Sequence, residues 1–155
     1  MEQQLTDHDK IDAEMRNLIE EARVILPGVQ ALFGFQTIVV FNDHFAELAA
    51  FAKNCHLLGL AMVIVTVAMV MTPAIYYRAC GGCATLPMTR LSSLMIRTAL
   101  APLACGLALD MFTVIYAATE RVGLSLGAGV GTFVLLAGLW FVVPRLGRRH
   151  LKKFR

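Results

Sequence analysis

The segment TALAPLACGLALDMFTVIYAAT, residues Thr98–Thr119, decides the fold of this 155-residue chain. As one helix it is long enough to cross roughly 30 Å of hydrocarbon. It holds one carboxylate, Asp110, with no basic residue within ten positions on either side. Because a charged Asp near a bilayer centre costs roughly 2.5–3.5 kcal/mol, we expect Asp110 to be paired, protonated or functional.

Three further apolar runs, Val24–Phe41, Leu57–Tyr76 and Val122–Val143, are each long enough or nearly long enough to span a membrane. The chain is 57% hydrophobic and only 16% charged, and its mean hydropathy is +0.65. A soluble bundle would show one apolar stripe per helix, whereas these runs are apolar nearly all round. The sequence therefore predicts an all-α fold, a four-helix transmembrane bundle.

The distribution of basic residues predicts the orientation. With four spans, the N-terminus, the middle loop and the C-terminus share one side, which carries all but two of the 14 Lys and Arg residues. The positive-inside rule then places both termini in the cytoplasm. We expect a protein of the bacterial inner (plasma) membrane, whose first span serves as its own insertion signal.

The chain divides into a cytoplasmic N-terminal amphipathic segment (1–23), a four-span transmembrane domain (24–143) and a basic cytoplasmic tail (144–155). The first segment is predicted to be a short helix with one apolar stripe that packs on another protein surface. Besides the lipid bilayer, a homo-oligomeric partner and a partner membrane protein are therefore expected. The stripe consists of Ile11, Met15, Leu18, Ala22 and Ile25.

Polar residues on the four spans fall at comparable depths. Counted at 1.5 Å per residue from the external end, Asp110 and Thr66 lie roughly 14 Å deep, Thr132 roughly 15 Å and Gln36 roughly 8 Å. Such groups need partners in hydrocarbon, so we expect them to face the bundle interior. They form either a hydrogen-bonded layer that fixes helix register or a proton or small-cation site in which Asp110 titrates.

Two histidines, His44 and His56, follow the first span and are predicted to lie at the external mouth. There they titrate near neutral pH and are candidates for proton uptake or gating. The ordinary alternative is that both are surface residues without a role.

The fourth span contains Gly127 and Gly131, a small-xxx-small pair that lets two helices approach closely. The approach is either to a neighbouring helix of the same chain or to a second copy. We expect a homo-oligomer, since four short helices can scarcely enclose a pathway alone.

Cys80 and Cys83 form a C-x-x-C in the middle loop. They are weak zinc candidates, because a structural site needs two more ligands. Cys55 is predicted on the other side of the membrane and Cys105 within it, so a second pair would have to come from a symmetric dimer. Reduced, uninvolved cysteines are the expected state.

The sequence contains no phosphate-binding loop, nucleophile elbow or HExxH pattern, so we expect neither an enzyme nor a bound cofactor. The basic tail is short and juxtamembrane, which argues against nucleic-acid binding. Two functions stay open: a proton or small-cation channel or transporter acting as a homo-oligomer, and a non-conducting accessory or assembly subunit of a larger membrane complex.

Several stretches resemble a bacterial family of small four-span membrane proteins of unknown function, some of whose members are labelled sodium:proton antiporter. The resemblance covers roughly residues 20–145, without the N-terminal extension and the Cys80/Cys83 loop. It implies a four-helix membrane fold and favours cation or proton transport. The stretches are Leu26-Pro27-Gly28-Val29-Gln30, Phe33-Gly34-Phe35-Gln36, Met71-Thr72-Pro73-Ala74 followed by Tyr76-Tyr77-Arg78, and Ala137-Gly138-Leu139-Trp140.

Overall fold

The computed structural model describes residues 2–151, with side chains from Asp9 to Gly147. Within residues 2–151 the secondary structure is helical, without a strand. The last four residues of the predicted basic tail lie outside the described part. The elements are α1 (Glu2–Val39), α2 (Asp43–Glu47), α3 (Ala50–Ala79), α4 (Leu86–Thr119), α5 (Val122–Ala137), a π-helical turn (Gly138–Val142) and α6 (Val143–Leu151).

Four helical segments are long and apolar enough to cross a membrane: Asp9–Val39, Ala50–Ala79, Leu86–Thr119 and Val122–Gly147. The predicted all-α four-helix bundle is confirmed, and the chain is a small integral membrane protein. Helices α3 and α4, the second and third spans, begin well before their apolar runs. The segments that connect the spans are therefore shorter than predicted.

The N-terminal amphipathic segment is helical but not separate from the first span. Helix α1 runs through residue 23 and through Pro27 without interruption. Its apolar stripe packs on the chain itself: Met15, fully buried, contacts Ala84 and Met88. The Asp12 carboxylate also accepts a hydrogen bond from the Ala84 backbone N–H at 2.8 Å. These contacts tie α1 to the loop between α3 and α4.

Helices α3 and α4 form the central pair of the bundle; α1 packs on both of them, and α5 packs on α4. The buried positions of α3 alternate between four-residue and three-residue steps, a spacing typical of helices that pack side by side as in a coiled coil. The corresponding stripe of α4 has the same spacing, and many of its members are small. The α3 positions are Ala52, His56, Gly59, Val63, Thr66, Val70 and Pro73.

Two glycines bring α3 and α4 into direct backbone contact. A Cβ at Gly59 would lie 3.3 Å from the Gly106 carbonyl oxygen and 3.0 Å from Oδ1 of Asp110. A Cβ at Gly106 would lie 3.2 Å from the Gly59 carbonyl oxygen. A side chain at either position would make a tighter contact than is ordinary, so the facing backbone or the Asp110 side chain has to shift.

The fourth span joins the bundle through a different glycine from the predicted pair. A Cβ at Gly129 would lie 3.0 Å from the Ala108 carbonyl oxygen on α4, while nothing lies within 4 Å of a Cβ at Gly127 or Gly131. Further along the fourth span, Trp140 of the π-helical turn packs on a buried cluster that includes Leu103. Gly127 and Gly131 therefore do not serve packing within the chain.

Substituting Gly59 with Ala is expected to destabilise the protein by about 1–3 kcal/mol, the usual cost of overpacking a close contact. The thermal unfolding midpoint in detergent, followed by circular dichroism, measures the effect. Gly34→Ala is the matched control, because a Cβ there would meet nothing within 4 Å. Equal unfolding midpoints for both variants would contradict the close α3–α4 contact.

Candidate functional site

Three polar side chains from three helices meet near one end of the bundle. Gln36 lies in the last turn of α1, His56 in the second turn of α3, and Asp110 nine residues before the end of α4. The helices run in alternating directions, so these positions come to the same level. The sequence predicted that Asp110 and Gln36 both face the bundle interior; His56 joins them in a cluster, which we call the Gln36–His56–Asp110 triad.

Each member of the triad contacts both others. The Gln36 side-chain Nε2 donates a hydrogen bond to Oδ2 of Asp110. His56 Nε2 lies 2.9 Å from the backbone carbonyl oxygen of Gln36, and His56 Nδ1 lies 3.5 Å from Oδ1 of Asp110. The carboxylate without a basic neighbour in sequence thus has an imidazole beside it from another helix.

The contact with a backbone carbonyl fixes the tautomer of His56. A carbonyl oxygen only accepts, so Nε2 must carry a hydrogen. Nδ1, which faces Asp110, is then the ring nitrogen without a hydrogen when the imidazole is neutral. With one proton shared between them, the two side chains are either a neutral imidazole beside a carboxylic acid or an imidazolium beside a carboxylate. These two states contain the same number of protons and differ by one transfer between Nδ1 and Oδ1.

Two residues of the triad are shielded from solvent, and the third, Asp110, is half-buried. Gln36 and His56 are each only 4% exposed. Phe45 of α2 lies edge-on to the His56 ring, with ring centroids 5.3 Å apart, and is itself buried. His56, predicted to lie at the external mouth, is therefore buried beneath α2. Burial without water makes each unpaired polar atom costly.

Two acceptor atoms in this buried site lack a hydrogen-bond donor. Gln36 Oε1 and Asp110 Oδ1 are fully buried and have no hydrogen-bond partner. Native proteins leave few buried polar atoms unsatisfied, and such atoms call for a physical reason. A proton on the Asp110–His56 pair satisfies Oδ1, because it lies between Oδ1 and Nδ1. Gln36 Oε1 faces no such donor and stays unpaired.

The other predicted polar residues lie outside the triad. His44 is exposed on α2, with Nδ1 3.5 Å from a Glu47 carboxylate oxygen. The Thr66 hydroxyl is buried but donates to the Met62 carbonyl at 2.9 Å, ten residues or roughly 15 Å along α3 from His56. Thr132 donates within its own helix, to the Ala128 carbonyl at 2.9 Å. The predicted four-span polar layer is thus a three-helix cluster near one end.

The four cysteines are free; Cys80 and Cys83 are exposed, and Cys55 and Cys105 are half-buried. Among the described residues, no group of three or more His, Cys, Asp or Glu side chains is placed to hold a metal ion. The chain itself thus brings no further described ligand to the Cys80/Cys83 pair.

Several residues around the triad were not anticipated from sequence. Gly59 provides the room for the Asp110 carboxylate, and Phe45 covers His56. Thr113, one turn beyond Asp110 on the buried stripe, donates to the Leu109 carbonyl at 2.9 Å. The alternating four- and three-residue spacing from His56 to Gly59 to Val63 was a readable signal, because it places His56 on the buried stripe of α3.

Comparison with known protein families matches residues 4–144 to DUF6328, a family of unknown function. The match covers most of the chain, which therefore belongs to this family. It begins near the N-terminus, well before the resemblance recognised from sequence. Comparisons with curated proteins and with solved structures found no match to either.

Replacing Gln36 with Ala removes the donor to Asp110 Oδ2 and leaves this carboxylate oxygen without its hydrogen bond. The expected loss of stability is about 1–3 kcal/mol, measured by unfolding in mixed micelles. Gln30→Ala is the control, since Gln30 is exposed on the same helix and its loss should change stability by less than about 0.5 kcal/mol. A Gln36 variant as stable as the Gln30 variant would argue against the triad.

Proposed function

We propose that this protein moves protons across the bacterial plasma membrane as a homo-oligomer, with His56 and Asp110 as a proton-exchanging pair. The observation that carries the proposal is the buried pair itself, with Nδ1 facing Oδ1 at 3.5 Å and Oδ1 without a hydrogen bond. Ionisable side chains inside a membrane are costly and commonly mark ion pathways or proton relays.

The ligand chemistry of the triad favours a proton over a metal cation. Hard cations such as Mg²⁺ and Ca²⁺ take six or more oxygen ligands. The triad offers one carboxylate and one amide oxygen, and the Gln36 carbonyl oxygen is engaged by His56. A protonated imidazole would also repel a metal ion, whereas a proton needs only the pair of atoms that face each other.

In this mechanism a proton enters from the side of α2 when Phe45 moves off the His56 ring. Nδ1 takes the proton, and Asp110 Oδ1 receives it from the imidazolium. Gln36 serves both states of Asp110, because its amide donates through Nε2 to a carboxylate and accepts through Oε1 from a carboxylic acid after rotation. The proton is then released toward the opposite face of the membrane, along a path that a second copy of the chain helps to enclose.

Two observations support the homo-oligomer. Gly127 and Gly131 are exposed, with open space where a Cβ would be. In addition, only 6% of the apolar window of the fourth span is buried within the chain, against 28% for the second and third spans. A glycine face left uncovered by its own chain allows a second helix to approach closely.

The alternative function is a non-conducting accessory or assembly subunit. One feature favours it: each member of the triad comes from a different helix, so the triad joins α1, α3 and α4. Buried polar groups of this kind can specify one packing arrangement without moving an ion. The two functions differ in what happens when Asp110 can no longer titrate.

Asp110→Asn keeps the size and the hydrogen bond from Gln36 but cannot carry an exchangeable proton. We expect it to fold normally and to lower proton flux by about a hundredfold, the scale typical of losing a proton-transferring side chain. His56→Gln should act in the same direction. Flux is measured with a pH-sensitive dye in liposomes that contain the purified protein, under a pH gradient and separately under a sodium gradient.

Two exposed residues of α2 serve as matched controls, Asp43→Asn and His44→Gln, which make the same chemical changes outside the triad. Both should retain wild-type flux. No wild-type flux under either gradient would rule out transport and favour the accessory role. Normal flux in Asp110→Asn would remove Asp110 from the mechanism.

Leu at both Gly127 and Gly131 is expected to convert the oligomer to monomers, because the side chains hold an approaching helix away. Native mass spectrometry from several mild detergents gives the mass of the particle. Gly28→Leu is the control, another glycine with nothing within 4 Å of its Cβ position, and it should leave the mass unchanged. A strictly monomeric wild-type particle in every detergent would count against the oligomer.

A further inference from the structure

A groove of about 480 Å³ lies between α1 and α3. It is distant from the triad and lies toward the end of the bundle predicted to face the cytoplasm. Its floor is apolar, and two arginines, Arg23 of α1 and Arg78 of α3, lie along it. The apolar lining includes Ala22, Leu26, Val70, Ala74 and Ile75.

Both arginines are exposed, and neither makes an ion pair with an acidic side chain in the described range 9–147. Each guanidinium carries five N–H donors in a planar fork, which suits phosphate oxygens. Two such groups beside one apolar groove form a positive site without a negative partner from the described side chains.

The depth of the two arginines matches a lipid headgroup. Arg23 lies sixteen residues before the end of α1 at Val39, or roughly 24 Å along the helix, near the far edge of a hydrocarbon core about 30 Å thick. Its side chain leaves the helix toward the N-terminus, so the guanidinium reaches further toward the headgroups. Arg78 lies in the last turn of α3, with Ala74 and Ile75 on its membrane side.

Pro27 adds a polar atom to the same place. A proline inside a helix has no N–H for the carbonyl four residues earlier, and for Pro27 that carbonyl belongs to Arg23. Pro27 itself lines the groove. The Arg23 backbone oxygen therefore lacks its usual helical donor from Pro27 and is suited to accept a hydrogen bond from a hydroxyl group.

We propose that this groove binds one anionic phospholipid of the cytoplasmic leaflet, with its phosphate between Arg23 and Arg78 and an acyl chain along the apolar floor. Charge complementarity selects an anionic over a zwitterionic lipid. The apolar floor distinguishes a lipid from a free phosphate ion, which would gain nothing from it. The proposal is independent of proton movement.

Native mass spectrometry tests it on the full-length protein, exchanged into micelles that contain phosphatidylglycerol or phosphatidylcholine with the same acyl chains. Wild type should retain phosphatidylglycerol preferentially. Arg23→Gln combined with Arg78→Gln should weaken that retention by about thirtyfold, since each basic residue near an anionic surface contributes about fivefold. Lys at both positions keeps the charge and should preserve most of the preference.

Arg16→Gln combined with Arg90→Gln is the matched control, because it removes the same charge from exposed positions that do not line the groove. It should behave as wild type. Equal retention of the two lipids by wild type, or unchanged retention after loss of Arg23 and Arg78, would overturn the proposal. Displacement of the lipid by millimolar inorganic phosphate would also overturn it, because it would show a site for a free anion.

Discussion

The close approach of α3 and α4 at Gly59 and Gly106 is the constraint on which the rest of the structure depends. With a hydrogen in place of a side chain at both positions, the two backbones touch, and the Asp110 carboxylate fits against Gly59. His56, one turn before Gly59 on α3, then lies within reach of Asp110. Helix α1 closes the arrangement because its Gln36 offers a backbone oxygen to His56 and a side-chain amide to Asp110.

The consequence of this packing is a half-buried acid, Asp110, beside a buried base, His56. Gln36 contacts both partners from α1, and Phe45 of α2 packs edge-on against the His56 ring. The close backbone contact at Gly59 thereby places the Asp110 carboxylate within reach of His56. The same cluster links three of the four spans, so its protonation state and the packing of the bundle depend on each other.

The sequence predicted the four spans and the inward position of Asp110 and Gln36, because hydrophobicity and an isolated carboxylate are local signals. It predicted His56 at the external mouth but not its burial, although α3 already begins at Ala50. The burial of His56 comes from α1, α2 and α4, which a single segment cannot reveal. For the same reason the packing glycines were not foreseen: Gly59 and Gly106 act only because they face each other, while the conspicuous Gly127 and Gly131 face outward.

Solid-state ¹⁵N NMR of histidine-labelled protein in bilayers tests the central claim most directly, with the His56 signals assigned by comparison with His56→Gln. The Gln36 carbonyl can only accept a hydrogen bond, so Nε2 of His56 should carry a hydrogen at every pH at which the protein is folded. Asp110→Asn should change the Nδ1 signal and leave Nε2 protonated. A neutral His56 with its hydrogen on Nδ1 and a bare Nε2 would contradict the triad and the proton exchange built on it.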